Sequence, residues 1–131
     1  MSVVLHIYFY LKEELTPLKG KSFLRELKKE WLIVDKNISY FDIKKEENIF
    51  APFEEVIDKY VNKQTEIFHF NLNDIEFTIS LNQKDKYIFF SMNSFFLNKE
   101  NHKKYAEEII KKIKRIINDG FEIESVKESL D

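Results

Sequence analysis

Three histidines carry the widest chemical repertoire in this chain: His6, His69 and His102. Metal sites draw on His pairs at short strand or helical spacing, and these three fall in three different elements. His6 and His69 are mid-strand and could approach each other across a sheet, but the plainer reading is two ordinary strand histidines. His102 is expected to be exposed in the first turn of the last helix. A second constellation is Asp35 followed by Asp42-Ile43-Lys44, with Glu26 or Glu30 on the preceding helix as a third acid. Asp35 is better explained as a turn residue. Cysteine is absent, which excludes disulfides, thiolate metal sites and a Cys nucleophile. No serine sits in a nucleophile elbow, and Gly20 and Gly120 cannot build a phosphate-cradling loop.

The acidic residue followed by acid-x-Lys is similar to the core of restriction-endonuclease-like nucleases. That resemblance implies Asp35 and Asp42 holding a divalent metal while Lys44 helps position the attacking water. It covers only the stretch from Glu26 to Lys44. Its spacing is shorter than the family's, and the chain lacks a basic surface.

Charge argues against a nucleic-acid partner. The net charge is −2 and the isoelectric point about 6.0, whereas phosphate contacts call for a basic excess. Lys103, Lys104, Lys111, Lys112, Lys114 and Arg115 form a basic run, but Glu107 and Glu108 interrupt it and a solvated helix face accounts for it. Acids cluster instead at Asp42, Glu46, Glu47, Glu54, Glu55 and Asp58. Some of these stabilise a helix start through its dipole. Glu46 and Glu47 precede that helix and gain less, so the cluster is also a candidate surface for a basic partner.

The elements that must position these residues follow from periodicity. Val3–Tyr10 alternates as a strand with both faces at least partly covered. Pro17 and Gly20 read as chain breaks, and Ser22 as the cap of a helix to about Glu30, with Phe23, Leu24, Leu27 and Trp31 on one stripe. Trp31–Val34 and Ile38–Ile43 read as strands around a turn at Asp35-Lys36-Asn37, followed by a charged turn, Lys44–Asn48. A helix runs from Pro52 to about Asn62. Glu66–Leu72, Ile75–Leu81 and Tyr87–Met92 form an antiparallel meander. Asn98 caps a helix from Lys99 to Asn118, Gly120 stops it, and a short strand, Phe121–Val126, precedes an acidic tail. The expectation is an α+β fold: a mostly antiparallel or mixed sheet with three helices, in the order β-α-β-β-α-β-β-β-α-β, forming one domain over residues 1–131.

Aromatic residues make up 15% of the chain, with 13 Phe, six Tyr and one Trp. Tyr8, Tyr10, Phe68, Phe70 and Phe90 fall on the second face of strands whose first face fills a core, with Phe95 and Phe96 just after. Any left exposed would anchor a protein partner. No apolar run is long enough to span a bilayer. Taken together, the sequence points to a non-enzymatic, cytoplasmic protein-binding chain without cofactor or metal. In type it resembles small bacterial immunity proteins, which neutralise a cognate toxin. That resemblance implies a basic toxin domain as partner, its active site covered by Asp42, Glu46, Glu47, Glu54 and Glu55 with Tyr8 and Tyr10. A small-ligand sensor or carrier with an apolar pocket between sheet and helices is the alternative, and a metal-dependent nuclease the third.

Overall fold

The chain alternates apolar and polar residues wherever it pairs and repeats apolar residues every three or four wherever it coils. A computed structural model describes residues 3–31, 33, 37–72, 75–82, 86–94, 96–117 and 122–131. The elements are β1 (Val3–Leu11), α1 (Pro17–Trp31), β2 (Ile38–Asp42), β3 (Glu47–Phe50), α2 (Phe53–Val61), β4 (Ile67–Leu72), β5 (Ile75–Leu81), β6 (Tyr87–Ser94), α3 (His102–Ile117) and β7 (Ile123–Leu130). The order and the α+β class are those the sequence predicts. The strands form one seven-stranded sheet in the order β3-β2-β4-β5-β6-β1-β7, with every neighbouring pair antiparallel.

One side of this sheet is the core. Leu5, Ile7, Phe9 and Leu11 of β1 are almost fully buried, and Met92, Phe90 and Ile88 of β6 lie opposite the first three. The same side carries Phe77, Ile79 and Leu81 of β5, Phe68 and Phe70 of β4, and Ile38 and Tyr40 of β2. The helices cover it as a single layer. α1 touches both α2 and α3, with α2 reaching β2 and α3 reaching β1 and β7. Phe23, Leu24 and Leu27 of α1, Val56, Ile57 and Tyr60 of α2, and Ala106, Ile109 and Ile113 of α3 join the strand residues in one apolar cluster. Among the described residues, no helix is long and apolar enough to cross a membrane.

Four details differ from the sequence reading. First, α1 begins at Pro17, not Ser22. Thr16 is its cap: the Thr16 hydroxyl accepts the Lys19 N–H at 3.2 Å, and Pro17 takes the first helical position, where its missing N–H costs nothing. Gly20 is therefore helical and buried. Second, Trp31 ends α1 and does not start a strand, while Leu32, Val34 and the Asp35-Lys36 part of the expected turn lie outside the described residues. The hairpin that exists joins β2 to β3 through Ile43–Glu46. β3 escapes a pattern search because it is four residues long with only Ile49 partly buried.

Third, Asn98 caps a turn before α3 rather than the helix itself. Its side chain accepts the N–H groups of Glu100 and Asn101, both at 2.9 Å, and Asn101 returns the favour to the Asn98 N–H at 2.8 Å. Fourth, the segment expected as an acidic tail continues β7 to Leu130, which sits opposite Leu5. The expected helix stop Gly120, and Phe121, lie outside the described residues.

Candidate functional site

Pleating sends alternate residues of each strand to the side that no helix covers. Across β6, β1 and β7 that side presents Tyr87 and Phe89, then His6, Tyr8 and Tyr10, then Ser125, Lys127 and Ser129. Five of these rings form one cluster centred on Tyr8. Its ring centroid is 4.8 Å from Phe89, 5.8 Å from Tyr87 and 6.0 Å from Tyr10. Tyr10 and Tyr87 are 6.2 Å apart, and the His6 ring stacks on Phe89 at 5.5 Å. These are the separations at which aromatic pairs attract. At the far edge the same face carries Phe41 of β2 and Phe50 of β3, the latter 72% exposed. Ser39, Thr78, Ser80, Ser91 and Asn93 fill the middle.

The charge content of this face is its second property. Charged residues are 34% of the chain. At the described strand positions that the register assigns to this face they are Glu76 and Lys127, with Asp131 reaching His6 from the end of β7. Depleted charge and enriched aromatics are features of protein interface cores, and small hydroxyl and amide residues between aromatic anchors are features of antibody-type paratopes.

Sequence reasoning placed some aromatics on the wrong side. Phe68, Phe70 and Phe90 are core residues, each 2% exposed or less. In β6 the set Ile88, Phe90 and Met92 is more apolar than Tyr87, Phe89, Ser91 and Asn93, so the former turns inward. The same choice in β4 favours Phe68 and Phe70 over His69 and Asn71. Tyr87, Phe89, Phe41 and Phe50 take the outer positions instead. The signal that finds them is the phase of each strand, weighed against its neighbours. Phe96 is exposed, and Phe95 lies outside the described residues.

The acidic candidates do not join the tyrosines. β2 and β1 are separated by β4, β5 and β6, which sets them about 19 Å apart. Asp42 also faces the core side and is 7% exposed. Its Oδ1 accepts the backbone N–H groups of Lys44 and Lys45 at 3.0 and 2.9 Å, and its carbonyl accepts the Glu46 N–H at 2.8 Å. That carboxylate holds the β2–β3 turn, in which Glu46 adopts a φ of 54°. Glu46, Glu47 and Glu55 are exposed, and Glu54 pairs with Arg25 at 3.0 Å. Lys44 and Lys45 share the turn and offset Glu46 and Glu47. Burial, then Asp42 and Glu55, raises the Tyr40 phenol above its ordinary value.

The other chemical candidates are dispersed as well. Among the described residues no group of three His, Asp or Glu side chains is placed to hold a metal, and Asp35 lies outside them. Glu30 pairs with Arg115 at 2.9 Å. His6 on β1 and His69 on β4 have two strands between them. His6 Nε2 meets Asp131 at 2.8 Å, and His69 Nδ1 bonds the Thr78 hydroxyl at 2.9 Å. His102 opens α3 and is half-buried.

Burial lowers the His69 pKa from its ordinary 6.5, with the nearby Glu76 carboxylate opposing. The folded chain therefore prefers the neutral ring. Above about pH 6.5 both folded and unfolded chains hold it neutral, and it adds no pH dependence. Below that value the unfolded chain takes the proton first, so stability falls as pH drops toward the folded value. His69→Gln keeps a hydrogen bond to Thr78 and should lose less stability than the parent between about pH 7.5 and about pH 5.5. Urea unfolding at the two pH values checks this, and an equal loss in both proteins contradicts it.

No protein-family model matches the chain, and a search of the curated proteins returns no match.

Proposed function

We propose that the chain is a non-enzymatic binding protein and that a protein partner docks on the uncovered face of the sheet. The observation that carries this reading is the Tyr8, Tyr10, Tyr87 and Phe89 cluster on a face nearly free of charge. Tyr and Phe bury large areas for few lost rotations, and rings held on a sheet lose fewer still. Six strand spacings give the face a width of about 29 Å, the scale of a standard interface with about 800 Å² on each partner. The partner class we favour is a bacterial toxin domain, occluded at its active site in the cytoplasm, as by the small immunity proteins that the chain resembles in type. The exposed Glu46, Glu47, Glu54 and Glu55 act from the far edge in this reading. They steer a basic partner during approach and are not part of the aromatic contact. Asp42 drops out of the contact set because its carboxylate is spent on the turn.

Affinity capture tests the proposal. The immobilised chain should retain one protein in stoichiometric amount from its source organism when that organism's toxins are expressed. Capture of no such protein under those conditions contradicts the proposal.

A further inference from the structure

A pocket of about 340 Å³ opens on the helical side of the sheet, between the end of α1 and the middle of α3. Trp31, Phe77, Met92 and Tyr105 are among its walls, and Glu30, Glu108 and Lys112 are its charged members. Phe77 and Met92 face each other across β5 and β6 on the core side, so the pocket and the aromatic face lie on opposite sides of the sheet. Its volume is in the range of small-molecule sites, about 300–1,000 Å³.

The walls favour a flat ring. Trp31 packs 5.1 Å from Phe77 and 5.3 Å edge-on to Phe90. The charges sort by what they already touch. Glu30 is occupied by Arg115 at 2.9 Å. Lys112 pairs with no carboxylate among the described residues, and its Nζ stands 5.8 Å from the centre of the Trp31 ring. The Trp31 indole N–H is buried and has no acceptor. That N–H is sealed off, so the exposed Lys112 is the donor an entering ligand meets. Among the described residues, Lys112 is thus the cation at the pocket without a carboxylate, held over the face of the Trp31 ring. The carbonyls at the end of α1 add partial negative charge, beside which Lys28 and Lys29 lie in the last turn.

From this arrangement we infer that the pocket binds a small aromatic carboxylate. Its ring lies against Trp31 and Phe77, and its carboxylate accepts from Lys112 Nζ. Glu108, one helical turn before Lys112, opposes the bound anion. The site does not depend on the docking face, and each can fail without the other.

Trp31 is the single tryptophan, so its fluorescence reads the pocket without a label. The probes are 3-phenylpropionate, its neutral amide 3-phenylpropanamide and the cation 3-phenylpropylamine, titrated into the full chain. The acid should saturate with a dissociation constant of about 0.1–1 mM. It should bind about tenfold more tightly than the amide or the amine. Lys112→Met should abolish that advantage, and Glu108→Gln should strengthen the acid about threefold. Both substitutions are on the exposed side of α3 and leave the core untouched. The inference is overturned if no probe gives a saturable change up to about 10 mM. It is equally overturned if the amine binds more tightly than the acid, or if Lys112→Met leaves the acid's affinity unchanged.

Discussion

Gly20→Ala should destabilise the fold by about 2 kcal/mol, although alanine is the better helix former. At an exposed helical site the change would gain about 1 kcal/mol in propensity. Gly20 is not such a site. It sits inside α1 where α2 crosses, and a Cβ there would overlap the Tyr60 hydroxyl and lie 2.5 and 2.6 Å from Tyr60 Cζ and Cε2. Tyr60 is fully buried, with its ring packed edge-on to Phe68 at 5.7 Å. The cost is an overpacked helix–helix contact, typically about 1–3 kcal/mol and more when the backbone must shift. Tyr60→Phe in the Gly20→Ala background should recover only part of it, because the ring carbons stay in place. Urea unfolding of the three proteins measures this. A neutral or more stable Gly20→Ala would mean that the two helices are not this close.

Tyr8→Ser combined with Tyr87→Ser should weaken partner binding about 30- to 1,000-fold while the fold survives. Tyr8 is the hub of the ring cluster, and Tyr87 bridges it to Tyr10. Truncating an interface anchor of this kind costs about 2–4 kcal/mol. The two rings touch each other, so their effects should not add fully. Neither residue is in the core, and each lost cross-strand ring contact should cost roughly 0.2–1 kcal/mol of stability. Leu18→Ser and Phe96→Ser are the controls, since both residues are exposed apolar side chains away from this face. Binding of the captured partner by calorimetry, with circular dichroism of each variant, reads the result. Equal loss in the controls and the double variant would mean general destabilisation. No loss in the double variant would remove the cluster from the interface.

Much of the fold was legible because the long elements obey one period each. β5 alternates Phe77, Ile79 and Leu81 with Thr78 and Ser80, and α3 spaces Ala106, Ile109, Ile113 and Ile117 along one stripe. Where two local signals compete, the sequence misleads. Trp31 reads equally well as the end of a helical stripe or the start of a β-rich run, and tertiary packing against Phe70, Phe77 and Phe90 decides for the helix. Thr16-Pro17 was a cap with a first-turn proline, hidden because Gly20 four residues on looked like a break. What demands glycine there is Tyr60, forty residues away in sequence, and no local pattern carries that information.

The candidate site was legible in kind and not in layout. The surplus of aromatics pointed to rings outside the core, and Tyr8 and Tyr10 lie in a half-buried ring cluster on the outer side of the sheet. Strand phase was ambiguous in β6, whose two faces both carry aromatics, whereas in β4 both phenylalanines share one face opposite His69 and Asn71. The acids near Asp42 and the tyrosines of β1 were joined on composition alone. Sheet order, which depends on pairings between distant segments, puts them at opposite ends.

Hydroxyl-radical footprinting of the chain with its captured partner tests the docking face most directly. The account predicts that Tyr8, Tyr10, Tyr87 and Phe89 lose reactivity together on binding, with Phe41 and Phe50 following if the contact spans the sheet. Leu18, Phe96 and the exposed residues of the helical layer should keep theirs. Protection of the helical layer, with the four rings of β1 and β6 as reactive as in the free chain, would contradict it.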